Sequence, residues 1–317
     1  MKVIAILGAN SHIAKGLINN FAHKTDDALR LFTRDAAKTA AFLGSIGKGP
    51  SANCAIEEGY RDFLAGRYDV VINCVGAGAP NKLGKDYSVW FTLTEEFDNL
   101  AINYLRGHPD ALYVNFSSGA VYGRDGSAPV EENTVNPIAV NHVPATDYYA
   151  VAKLNAEAKH RSLGHMRIVD IRIFSYFSRF IDLDSGYFIT EALKCLMGNT
   201  LLETNKANIV RDYIHPDDLF SLLLRCVEAD HLNDAFDAVS AKPVDKLSIL
   251  GYFETEHGLR YHITPSLRFG GPNGFKLIYC SVFNKAVNIG YKPTFSSMDA
   301  IAQEALKLCH IHKEHQA

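Results

Sequence analysis

Short continuous apolar runs punctuate the first half of the chain: Val3–Leu7, Leu29–Phe32, Val70–Val75, Leu112–Phe116 and Val169–Phe174. Each is rich in β-branched or aromatic residues, and each predicts a strand buried on both faces. Apolar positions with helical spacing fill the intervals, as in Ile13–Phe21 and Phe91–Leu105. Strands alternating with helices predict an α/β fold, a doubly wound parallel sheet covered on both sides. After about Phe174 the rhythm gives way to loop-like stretches such as IDLDSGYF and PSLRFGGPNG, although Phe236–Val239 still reads as a strand. We expect a dinucleotide-binding domain over residues 1–174 and a smaller C-terminal substrate domain over 175–317. Segments near 210–219 and 236–239 are expected to pack back on the first. No Gly/Ser tether separates the two, so a cleft between them is the expected site.

Composition narrows the function without naming it. The 317 residues are 47% hydrophobic and 21% charged, as in ordinary folded proteins. The net charge of −3 comes from 32 basic and 35 acidic residues with no basic run, which argues against nucleic acid as a partner. The opening apolar run breaks at Gly8, too early for a membrane span or a signal peptide, so a cytoplasmic protein with no membrane partner is expected. The six cysteines form no CxxC pair, so we expect reduced thiols and no metal site.

The first strand runs into Gly8-Ala9-Asn10-Ser11-His12-Ile13 and then a helix, the context in which backbone N–H groups meet a pyrophosphate. Of the glycine spacing GxxGxxG only Gly8 is present, with Ser11 and Ala14 at the other places; small residues still permit close approach. An ordinary βα turn is the competing explanation. The second strand ends in Thr33-Arg34, where a hydroxyl and a guanidinium could grip a 2′-phosphate; this favours NADP, with NAD possible if Arg34 is a solvated surface residue. Asn73, Val75 and Gly76 close the Val70–Val75 run at the sheet edge, where a nicotinamide ribose would pass.

The segment from Asp147 to Glu157 reads as a helix starting near Pro144 and Asp147, which places Tyr149 and Lys153 on one face. Lowering a phenol from about 10 to about 7 requires roughly 4 kcal/mol of preferential stabilisation of its anion. An exposed ion pair falls short of that. A desolvated lysine, a helix terminus and the cation of an oxidised nicotinamide together could suffice. Tyr148 lies one residue off this register. Upstream, Ser118 ends a strand and could bond a substrate carbonyl, while Ser117 should face the other side.

These residues reach a family. FSSGAVYG followed by YAVAKLNAE resembles the extended short-chain dehydrogenase/reductase family, a Rossmann-type group of epimerases, dehydratases and reductases acting mostly on nucleotide-linked sugars. The likeness continues in VRDYIHPDDL (210–219) and in the segment from Lys285 to Pro293. The resemblance implies that Tyr149 is the acid/base, that Lys153 lowers its pKa and binds the nicotinamide ribose, and that Ser118 orients substrate. It also implies that Arg211 approaches the substrate diphosphate, while Asp212, Tyr213 and His215 read as structural. The pattern LRxxNxYGP appears as IRIFSYFS, with Ser175 where asparagine would touch substrate. Gly119 and Ala120 replace the acidic residues of dehydratases, which disfavours dehydration.

Two enzymatic readings follow from the resemblance, an NADPH-dependent reductase of a 4-keto sugar and a 4-epimerase holding NAD. Arg34 favours the reductase. A catalytically inactive dinucleotide sensor is a third reading, opposed by the intact Ser118, Tyr149 and Lys153. A homodimer paired through the long helices is the expected assembly.

Overall fold

The computed structural model describes residues 1–76, 86–123, 126–264 and 276–314; Ala77 to Lys85, Arg124 to Asp125, the PSLRFGGPNG stretch with Phe275, and His315 to Ala317 lie outside them. In chain order the strands are β1 (Val3–Leu7), β2 (Ala28–Thr33), β3 (Cys54–Glu58), β4 (Val70–Asn73), β5 (Leu112–Ser118), β6 (Arg167–Ile173) and β7 (Ser175–Tyr176). They continue as β8 (Leu202–Thr204), β9 (Val210–Arg211), β10 (Tyr213–Ile214), β11 (Asn233–Ala238), β12 (Val244–Asp245), β13 (Tyr261–Ile263) and β14 (Ile278–Tyr279). The helices are α1 (His12–Lys24), α2 (Ala36–Ser45), α3 (Val89–Gly107), α4 (Tyr148–Ser162), α5 (Phe188–Met197), α6 (Pro216–Glu228), α7 (Lys246–His257) and α8 (Ser297–Glu314).

Seven strands form one sheet in the order β11-β6-β5-β4-β1-β2-β3, and every pairing is parallel. Parallel strands need crossovers, and the helices between them cover both faces. Alternation along β1 divides the core: Ile4 and Ile6 join Leu17, Phe21, Leu219 and Leu223 on one face, while Ala5 and Leu7 join Val71, Phe97 and Tyr113 on the other. All five apolar runs are strands. The Cys54–Glu58 strand, with two glutamates and only half-buried side chains at the sheet edge, carries no such run.

The later chain makes smaller sheets, β10-β7, β12-β9-β14 and β13-β8, around a third core that includes Phe177, Leu193, Leu250, Phe253 and Ile301. The sheet is extended at its β6 edge by β11, and α6 packs on α1, where Asn20 Nδ2 donates to the Pro216 carbonyl at 3.2 Å. None of the six cysteines forms a disulfide. Among the described residues no helix is long and apolar enough to cross a membrane, and no group of three His, Cys, Asp or Glu could hold a metal.

Candidate active site

The strand order reverses at β1, whose neighbours are β2 and β4, so a crevice opens beyond their carboxyl ends. Gly8 sits there with φ +75°, and the N–H groups of Gly8 and Ala9 both donate to the Phe32 carbonyl at 3.0 Å. A Cβ on Gly8 would come within 3.0 Å of Val75 N and Cγ2, so this position needs glycine for both its backbone angle and its contact with the end of β4. Ser11 caps α1, its Oγ accepting from Ala14 N at 3.3 Å. Asn10 donates to Thr33 Oγ1 at 2.8 Å and to the Asp35 carbonyl at 3.0 Å. Its buried Oδ1 has no partner among the described residues, an acceptor left for an outside donor.

His12 is placed differently from its five-residue neighbourhood. Its Nε2 lies 2.8 Å from Ser178 Oγ and its ring 4.7 Å from Tyr176, and burial pushes it down to about 3, so it is neutral. Ile13 packs partly buried against the core. The glycine that the helix packing demands is Gly16: a Cβ there would lie 1.9 Å from the Tyr176 hydroxyl. Arg34 is exposed after β2 and close enough to Tyr60 for its charge to pull that phenol down against burial. The neighbouring Asp35 carboxylate is spent on capping α2, accepting from Lys38 N at 2.9 Å. Asn73 fixes the end of β4, its Oδ1 accepting from Val75 N at 3.0 Å and its Nδ2 donating to the Tyr113 hydroxyl at 3.1 Å. Val75 is half-buried and Gly76 exposed at the rim.

Ser118 ends β5, two strands from β1, and α4 begins at Tyr148 after a short 3-10 turn over Ala145–Asp147. Strand alternation separates the two serines. Ser117 Oγ donates to Glu157 Oε1 at 2.5 Å, whereas Ser118 Oγ accepts from Ala120 N at 3.2 Å and shares a hydrogen bond with the Tyr279 hydroxyl at 3.1 Å. Burial pushes the Tyr149 phenol up, and the neighbouring Ser118 hydroxyl acts the other way. On its other side the Trp90 ring meets Tyr149 in a T-shaped contact, centroids 5.8 Å apart.

Lys153 lies one helical turn after Tyr149 on α4. Its Nζ donates to the Phe116 carbonyl of β5 at 2.8 Å. Burial lowers its pKa while the carboxylates of Asp170, Asp98 and Glu157 oppose that shift. The ammonium is thus committed to β5, and the phenol of Tyr149 stays protonated.

On the substrate side, Ser175 N donates to the Asp212 carbonyl at 3.0 Å where β7 meets β10. Arg211 is 7% exposed, and burial lowers its pKa. Among the described residues its guanidinium meets the Val210 carbonyl at 2.8 Å, the Leu277 carbonyl at 3.5 Å and the face of Tyr279, and no carboxylate. Such a buried cation is suited to an incoming anion. Asp212 accepts from Ser240 N and Ser297 Oγ, and His215 caps α6 while stacking on Phe295 at 4.1 Å. Tyr213 is buried, its N–H donating to Ser297 Oγ at 2.8 Å. The contacts of these three are structural, as their sequence setting suggests.

Two parts of the site carry no sequence motif. Trp90 and Tyr279 reach Tyr149 and Ser118 from distant segments. Beneath them, fully buried His160 lies between Asp98 Oδ1 at 2.5 Å and Asp170 Oδ1 at 2.9 Å. Tyr113 donates to Asp98 Oδ1 at 3.0 Å and accepts from Asn73, so this buried network ends at the rim of β4.

A doubly wound parallel sheet with a glycine turn at its switch point, a serine at the end of β5 and a tyrosine and lysine one turn apart on α4 defines an enzyme of the extended short-chain dehydrogenase/reductase type. The chain belongs to the NAD dependent epimerase/dehydratase family, whose profile matches residues 4–238. No match is found among curated protein sequences. Solved structures share the fold over nearly the whole length. UDP-glucuronic acid 4-epimerase from Bacillus cereus, in complex with UDP-glucuronic acid and NAD, is 18% identical with a TM-score of 0.77, covering 98% of this chain and 99% of its own. A UDP-N-acetylglucosamine 4-epimerase from Methanobrevibacter ruminantium M1 is 14% identical (TM-score 0.78, 98% and 99% coverage). The dTDP-glucose 4,6-dehydratase from Bacillus anthracis str. Ames, in complex with NAD, is 15% identical (TM-score 0.77, 99% and 98%).

Proposed function

We propose that this protein reduces the keto group of a nucleotide-linked 4-keto sugar, drawing on NADPH. The observation that carries the reading is the arrangement at the end of β5, where the Tyr149 phenol, which burial keeps protonated, lies beside the Ser118 hydroxyl. A neutral phenol beside a hydroxyl is a proton donor aimed at a carbonyl oxygen.

The crevice fits a dinucleotide. Gly8 permits close approach, the α1 N-terminus and Ser11 offer donors to a pyrophosphate, and the unpartnered Asn10 Oδ1 offers an acceptor. Asn10, Ser11, His12 and Ile13 open α1 beneath it; His12 acts by fixing that turn to Ser178. Arg34 takes the 2′-phosphate, and Asn73 holds Val75 and Gly76 along the nicotinamide end. When bound, the cofactor supplies the hydride. Ser118 holds the carbonyl oxygen, Tyr149 delivers its proton there, and Lys153, seated on the Phe116 carbonyl, borders the nicotinamide ribose. Arg211 receives the diphosphate, with Ser175 nearby on β7. We further infer a homodimer built on α3 and α4.

The second reading is a 4-epimerase, favoured by the likeness to the structures of two 4-epimerases, one of them in complex with NAD. Calorimetric titration of NADPH and NADH separates the two. We expect NADPH to bind the tighter, and Arg34→Ala to cost NADPH about tenfold or more while sparing NADH, as for the loss of a charge-assisted contact. NAD carried through purification, with no effect of Arg34→Ala, would favour the epimerase and leave Arg34 a surface residue.

A further inference from the structure

Trp90 is the only tryptophan in the chain and is 8% exposed at the start of α3. Its indole stacks on Tyr87, centroids 5.2 Å apart and planes at 25°, and presents itself to Tyr149 at 5.8 Å and 61°. The same belt reaches the neighbouring residue of α4: Tyr87 and Phe91 meet Tyr148 at 6.4 and 6.1 Å. A single aromatic cluster at the start of α3 therefore grips the first turn of α4.

The grip falls where Tyr149 has few other constraints. Lys153, its partner in helix spacing, donates to the Phe116 carbonyl of β5. Ser118 engages the hydroxyl end alone. A tyrosine side chain turns about two bonds, so a fixed hydroxyl position also requires a wall against the ring.

We propose that Trp90 is a positioning residue for Tyr149: its indole holds the phenol ring in place and screens it from water, presenting the hydroxyl to Ser118 and to the substrate carbonyl. This rests on the reading of Tyr149 as the proton donor. The raised pKa of Tyr149 has burial as its chief cause, and Trp90 is part of what buries it. Among the described residues, the phenols of Tyr187, just before α5, and of Tyr279 on β14 also feel the charge of an ionised Tyr149. Both are neutral over the same range, so desolvation dominates.

The test needs no substrate. Ultraviolet titration of tyrosinate in the full chain, with and without Tyr149→Phe, isolates the ionisation of Tyr149 by difference. In Trp90→Ala, water reaches the ring and Tyr149 should ionise about one pH unit lower; Trp90→Phe should restore the natural value. A structural role alone would lower the melting temperature and leave the Tyr149 titration where it was, which would overturn the proposal. If the alanine variant does not fold, Trp90→Leu gives the same comparison, since it keeps apolar volume without the ring. Calorimetry of NADPH on the natural protein tests the functional reading separately. Failure to bind would sink that reading, and an unmoved titration would sink only the role of Trp90.

Discussion

Tyr149→Phe is expected to lower kcat by about 10²- to 10⁴-fold, the range for loss of a positioned general acid, while binding of the dinucleotide is retained. The expectation comes from what the change leaves intact. Phenylalanine keeps the ring that meets Trp90, and Lys153 keeps its bond to the Phe116 carbonyl, so neither α4 nor the end of β5 is disturbed. Only the hydroxyl beside Ser118 disappears. Steady-state turnover on 4-keto sugars together with calorimetric titration of NADPH checks both halves. Full activity in the variant would remove Tyr149 from the chemistry. Loss of dinucleotide binding would mean that the substitution disturbed the crevice itself.

The second large effect is on stability. His160→Leu should destabilise the protein by about 3 kcal/mol, because it removes the cation shared by buried Asp98 and Asp170 and leaves each only one partly exposed cationic partner, Lys159 and Arg161 respectively. In a chain of this size that corresponds to a fall in melting temperature of roughly 10 °C. The natural protein should also show a pH signature. The two carboxylates raise His160 from 6.5 to about 9, against the cost of burial. A folded-state pKa above the unfolded one stabilises fully below about 6.5, and the contribution is lost as pH rises through about 9. Thermal melts across that interval should therefore decline in the natural protein and lack this component in His160→Leu. Equal melting temperatures, or the same alkaline decline in both, would show that His160 carries no such burden.

The sheet and the catalytic strand were legible because they are local. Strands buried on both faces are dominated by apolar residues, and β1, β4, β5 and β6 each carry such a run, interrupted only where a polar side chain finds a buried partner, as Asp170 does in His160. The two-residue period of a strand separates Ser117, which turns to Glu157, from Ser118, which turns to the crevice. The helical period likewise places Tyr149 and Lys153 on one face, but period alone cannot say that a carbonyl of β5 lies nearer the ammonium than the phenol does. The β3 strand escaped because an edge strand with one poorly covered face needs no apolar run.

What remained hidden is set by contacts between distant segments. Tyr279 meets Ser118 across 161 residues of chain, and nothing local to either predicts the meeting. Trp90 reads as an ordinary apolar position of α3. His160 reads as one more polar residue near the end of α4, and only the folded interface brings Asp98 against it. Gly16 lies outside the standard glycine spacing, although the Tyr176 hydroxyl over α1 makes it a demanding position.

The central claim is that this site moves hydrogen between a nicotinamide and the sugar carbon whose oxygen lies at Ser118 and Tyr149. The most direct measurement is mass spectrometry of nucleotide-linked 4-keto sugars after incubation with the natural protein and NADPH deuterated at the transferred position. The expected product is a reduced sugar carrying one deuterium, formed at least about a hundredfold more slowly by Tyr149→Phe. Sugars recovered neither reduced nor inverted, from a protein shown to bind both the dinucleotide and the sugar, would contradict it.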